Sequence, residues 1–80
     1  MPVFIGVHKM EPFSDEKMQE IWGKYKDQAQ GLGLKAIRLH YNGEKGTAYC
    51  ETEANSADEV MAAHQGLNIP QEILEIKTLG

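Results

Sequence analysis

The stretch Lys35-Ala36-Ile37-Arg38-Leu39-His40-Tyr41-Asn42-Gly43-Glu44-Lys45-Gly46-Thr47-Ala48-Tyr49-Cys50-Glu51-Thr52-Glu53 decides the fold. Two strand-like runs, residues 35–41 and 47–53, flank a turn that Asn42-Gly43 begins and Gly46 closes. The pattern predicts an antiparallel hairpin. If the hairpin is symmetric about that turn, Leu39 faces Ala48 and Ile37 faces Cys50.

Upstream, Ser14 is a good helix N-cap, with Asp15 and Glu16 in the first turn, where the helix dipole favours anions. Met18, Ile21, Trp22, Tyr25 and Ala29 follow at helical spacing and read as core, and Gly31 and Gly33 end the helix. Before it, residues 3–9 are rich in Val, Ile and Phe and read as a first strand. Residues 10–13 connect the two and hold Pro12.

Downstream, Ser56 and Glu59 form a capping box ahead of an apolar stripe of Ala57, Val60 and Met61, continued by His64. Gly66 stops this second helix, Pro70 sits in the next loop, and residues 72–77 make a last strand.

The element order is therefore β-α-β-β-α-β in one domain over residues 1–80. Its usual closed form is an α+β, ferredoxin-like fold. Four antiparallel strands lie in the order 4-1-3-2, with both helices on one face. The expected helix-facing set is Ile5, Val7, Ile37, Leu39, Ala48, Cys50, Leu74 and Ile76. The other face then carries Phe4, Gly6, His8, Arg38, His40, Tyr49, Glu51, Glu53, Ile73 and Glu75. Such a mixture of aromatics and charges suits a homodimer packed sheet to sheet around a partly wet cavity lined by Arg38, His40, Tyr49 and Glu51.

Size points the same way. A chain of 80 residues buries only about 60% of its unfolded surface. Its thin core calls for a partner subunit first and a metal second. Cys50 is the only cysteine, so no disulfide forms within the chain, which fits a reducing, intracellular setting. The net charge is −4, and the basic residues form no cluster suited to nucleic acid. No apolar run approaches the roughly 20 residues that span a bilayer. The first eight residues lack the charged and apolar regions of a signal peptide, and the cytoplasm is the expected location.

Chemistry has no local motif to rest on: there is no Cys-x-x-Cys, His-x-x-x-His or glycine-rich phosphate loop. Any site must be assembled by the fold. With the third strand taken as running parallel beside the first, His8, Glu51 and Glu53 meet at one rim. One imidazole and two carboxylates suit a divalent metal, general acid–base work or a plain polar rim with an ion pair. His64 reads either as a ligand or as a half-buried histidine with its hydrogen bonds met. On the expected topology it lies at the opposite end of the sheet from His8. Cys50 reads as a small buried hydrophobe or as a thiolate ligand.

Several stretches carry a family resemblance over nearly the whole chain: Met1-Pro2-Val3-Phe4-Ile5-Gly6-Val7-His8, with Val-His ending the first strand; Tyr49-Cys50-Glu51-Thr52-Glu53-Ala54; Val60 to His64, with a histidine fourteen positions after the cysteine; Gly66-Leu67; and Glu72-Ile73-Leu74-Glu75-Ile76. They resemble a family of small ferredoxin-like proteins of unknown function that includes a nickel-binding protein. His8, Cys50, Glu53 and His64 occupy its motif positions. Many members place a histidine near the position of Trp22 and an Ala-His-Gly after the helix-two histidine. Here Gln65 leads straight to Gly66, so this chain has two fewer imidazoles.

The resemblance implies binding of Ni²⁺, or another divalent transition metal, through His8, Cys50, Glu53 and His64. Two other functions fit the residues. One is a small oxygenase- or isomerase-like enzyme with His8 or His40 as base and Tyr49 or Arg38 steadying an oxyanion. The other is a module that binds a small molecule or protein without chemistry.

Overall fold

A computed structural model describes residues 1–80. Its elements are β1 (Val3–Lys9), α1 (Asp15–Gly31), β2 (Lys35–Asn42), β3 (Thr47–Glu53), α2 (Ala57–Ala63) and β4 (Glu72–Ile76). Both helices start where their caps predict. Ser14 Oγ accepts from the Lys17 N–H at 3.1 Å. Ser56 Oγ accepts from the Glu59 N–H at 3.4 Å, while the Glu59 carboxylate takes the Asn55 N–H at 2.7 Å, one residue before the cap. At the end of α1, Gly33 adopts a positive φ of 77°, and Leu34 donates back to the Ala29 carbonyl at 2.8 Å.

The four strands form one antiparallel sheet in the order β2-β3-β1-β4, which is the expected 4-1-3-2 read from the other edge. Both helices pack on one face. Phe4 from the sheet, Tyr25 and Ala29 from α1, and Val60 and Ala63 from α2 share a single core. The hairpin turn is fixed from outside. Met10 donates to the Gly46 carbonyl at 2.8 Å, and a Cβ on Gly46 would stand 1.9 Å from the Met10 oxygen, so only glycine fits. No helix is long and apolar enough to cross a membrane.

Three expectations are corrected. In the hairpin, Leu39 stands opposite Cys50 and Tyr41 opposite Ala48. The true turn axis lies one residue beyond the symmetric guess, because Asn42 and Thr47 close the ladder. The faces of β1 and β4 are exchanged: Phe4, Gly6 and His8 are buried under the helices, with Ile73 opposite Gly6. Ile5, Val7 and Leu74 lie on the open face. Both parities of β1 carry apolar groups, so alternation alone cannot choose between them; filling the core with the Phe4 ring does. Finally, β3 runs antiparallel to β1, so His8 sits opposite Ala48 while Glu53 sits opposite Val3. The rim of His8, Glu51 and Glu53 does not form.

Candidate metal centre

Three elements deliver one side chain each to a point beneath the helices: His8 from the end of β1, Cys50 from the middle of β3 and His64 from the C-cap of α2. Cys50 Sγ lies 3.4 Å from His8 Nε2 and 3.4 Å from His64 Nε2. All three donor atoms lie within 4.8 Å of one another. The trio is buried, at 2% exposure for His8 and Cys50 and 4% for His64.

His64 is thus beside His8 within one chain, not at the far end of the sheet. The antiparallel pairing explains the correction. β3 ends near the start of β1, and α2 then doubles back over the sheet. Its C-terminus therefore arrives where β1 ends.

Glu53 and Glu51 point to the opposite side of the sheet from Cys50, by simple alternation along β3. Glu53 therefore does not join the trio. Glu51 binds His40 Nε2 at 2.9 Å and approaches Arg38 at 3.8 Å on the open face, where Tyr49 also lies, 39% exposed. Arg38, His40, Tyr49 and Glu51 thus share the open face, away from the buried histidines.

Protonation at the trio can be counted. His8 Nδ1 bonds the Pro70 carbonyl at 2.8 Å, and His64 Nδ1 bonds the Val60 carbonyl at 2.7 Å. Carbonyl oxygens only accept, so each Nδ1 carries the hydrogen and each Nε2 is left as a lone-pair acceptor. Burial favours the uncharged forms. It lowers His8, and it lowers His64 to about 4, with a backbone bond to Val60 opposing and His8 adding to the fall. Burial also pushes the Cys50 thiol up to about 11, against the backbone N–H groups of Gly6 and Cys50. The neutral trio then has one S–H proton facing two acceptors. The single S–H can serve only one of them, so the other imidazole nitrogen meets sulfur lone pairs and receives no proton.

The floor is Gly6, the cross-strand partner of Cys50. A Cβ there would stand 2.6 Å from Cys50 Sγ, 3.2 Å from His8 Nε2 and 3.4 Å from His64 Cε1. A methyl group would fill the space on which the donors converge. The walls are largely apolar and include Met18, Ile21, Trp22, Leu67 and Ile69, around a cavity of about 10 Å³. The Tyr25 ring lies 4.4 Å from that of His64, while its hydroxyl bonds Thr52. Sequence reasoning missed Gly6, Tyr25 and Thr52 as parts of the site. Only the register reveals Gly6, by pairing it with the sole cysteine.

Fold and site together define a small α+β protein whose buried His8, Cys50 and His64 can hold a metal ion. The structure is similar to that of SCO4226 from Streptomyces coelicolor A3(2), with a TM-score of 0.86 and 20% identity over 98% of this chain and 99% of that chain. The likeness is one of fold. No family model matches the sequence, and the curated proteins yield no match.

Proposed function

We propose that this protein binds a single transition-metal ion between His8 Nε2, Cys50 Sγ and His64 Nε2, in a ferredoxin-like domain. The unmet lone pair carries this reading. A cation in place of the thiol proton gives all three donors a common partner. Both histidines are already oriented by backbone carbonyls through their other nitrogen, as ligating histidines usually are. The N···S separations of 3.4 Å are close to the roughly 3.5 Å that tetrahedral ligation at ordinary zinc–ligand lengths requires.

The sequence resemblance names nickel for the ion. Imidazole and thiolate also accept zinc, copper and cobalt. An organic substrate has no room among the donors, in about 10 Å³.

The homodimer remains part of the proposal. Ile5, Val7 and Leu74 on the open face, with Leu74 44% exposed, are the surface it would cover. Sedimentation at micromolar concentration tests that separately, and a strict monomer removes it.

Native mass spectrometry of the untagged protein tests the metal reading, with Ni²⁺, Zn²⁺ and Cu⁺ added in turn. One ion per chain, lost in both His8→Ala and His64→Ala, supports it. No ion held more tightly than about micromolar refutes it.

A further inference from the structure

The ligand set carries a single negative charge once the thiol proton leaves, and nothing around it supplies a second. The cavity wall contains no carboxylate; it is made of groups such as Met18, Ile21, Trp22, Leu39 and Leu67. The nearest acidic residue along the chain, Glu51, is turned through the sheet and engaged by His40 and Arg38. The Tyr25 hydroxyl is occupied by Thr52 and offers the site only its ring.

The charge balance of the donors and the wall favours a monovalent ion. A monovalent cation with the Cys50 thiolate makes a neutral unit, which an apolar wall accepts. A divalent ion leaves one uncompensated positive charge in that wall, an expensive arrangement in a low dielectric. Coordination number points the same way. Nickel(II), a borderline ion, takes about four to six ligands, yet about 10 Å³ leaves room for at most about one water beside the three side chains. Thiolate and imidazole are soft to borderline donors and satisfy a three-coordinate d¹⁰ ion without further ligands.

Resting on the metal-binding reading above, we propose that the His8–Cys50–His64 centre selects a soft monovalent cation, copper(I), over nickel(II) and zinc(II). Its selectivity comes from the missing counter-charge as much as from the donors. A carboxylate placed in the wall then moves the preference toward divalent ions. Leu39, which faces Cys50 across the β2–β3 pair and lines the cavity, is the position for it.

The test is anaerobic competition of the full-length protein for Cu⁺ against bathocuproine disulfonate. Zn²⁺ and Ni²⁺ are titrated in parallel against chromophoric chelators, with Ag⁺ as an air-stable monovalent control. The expected result is one Cu⁺ and one Ag⁺ per chain, at nanomolar affinity or tighter, and Zn²⁺ and Ni²⁺ no tighter than about micromolar. In Leu39→Asp the ratio of Cu⁺ to Zn²⁺ affinity falls by at least about 100-fold, two decades on the same scale. Tight, histidine-dependent Zn²⁺ or Ni²⁺ binding by the unaltered protein overturns the proposal while leaving a metal site intact. Failure to bind any of the four ions overturns both. Should Leu39→Asp not fold, the comparison in the unaltered protein still decides.

Discussion

Gly6 and Cys50 face each other across the β1–β3 pair, and a single methyl on Gly6 would stand 2.6 Å from the cysteine sulfur. The absent side chain leaves the space that the two imidazoles and the thiol share. Gly6→Ala should therefore overpack the site. It should destabilise the protein by about 1–3 kcal/mol in urea unfolding and weaken metal binding by at least about 100-fold. Full metal occupancy by native mass spectrometry in this variant would show that the donors do not converge on that space.

Cys50→Ala separates structure from ligation. The thiol is a small buried group, so its loss should cost the metal-free protein no more than about 1–2 kcal/mol. Metal affinity should fall by at least about 100-fold, a larger loss than removing an outer partner usually causes. Calorimetric titration beside thermal unfolding reads both quantities. Equal affinity in the variant would exclude sulfur from the site.

Acid should weaken the metal-free protein through its buried histidines. His64 is lowered from 6.5 to about 4, and His8 is lowered as well, chiefly by desolvation. The unfolded chain then binds more protons than the folded one as pH falls below about 6.5. The stabilising share of these groups is full above that value and is lost as pH falls toward about 4, at about 1.4 kcal/mol per pH unit for each proton taken up. Urea midpoints between pH 7.5 and 4.5 should show this fall, with a shallower slope in His64→Gln. An unchanged slope in that variant would mean that His64 is not held neutral by burial.

Metal binding should raise stability by mass action. A free ion concentration of 100 times the dissociation constant adds about 2.7 kcal/mol. For a domain of this size that shifts Tm upward by about 10–20 °C. Differential scanning calorimetry with and without chelator checks the shift, which should vanish in Cys50→Ala. A shift that survives there belongs to some other site.

Tyr25→Phe probes the layer behind the ligands. The Tyr25 hydroxyl bonds the fully buried Thr52, and without it the threonine oxygen loses its partner. The expected cost is about 1–3 kcal/mol, with metal affinity nearly unchanged because the ring against His64 remains. A large loss of affinity at unchanged stability would instead make the hydroxyl part of the centre.

Much of this was legible in the sequence, because the signals were local. Ser14 and Ser56 marked both helix starts, Gly33 and Gly66 lay just past the ends, and the spans of β1 and β3 followed from their β-forming runs. Cys50 could be placed under the helices because β3 alternates clearly, with Ala48, Cys50 and Thr52 buried. Its neighbours could not. Val3, Ile5 and Val7 on one parity of β1 compete with Phe4 on the other, and only packing against Tyr25 and Val60 decides which set turns inward. That decision buries His8 beside Cys50 and parts it from Glu51 and Glu53. The meeting of His8 with His64 likewise depends on strand direction and on the return path of α2. Local propensity thus determined the elements and the residue types available to a site. The tertiary structure alone decided which of those residues share it, because a face and a register are properties of paired strands, not of any one of them.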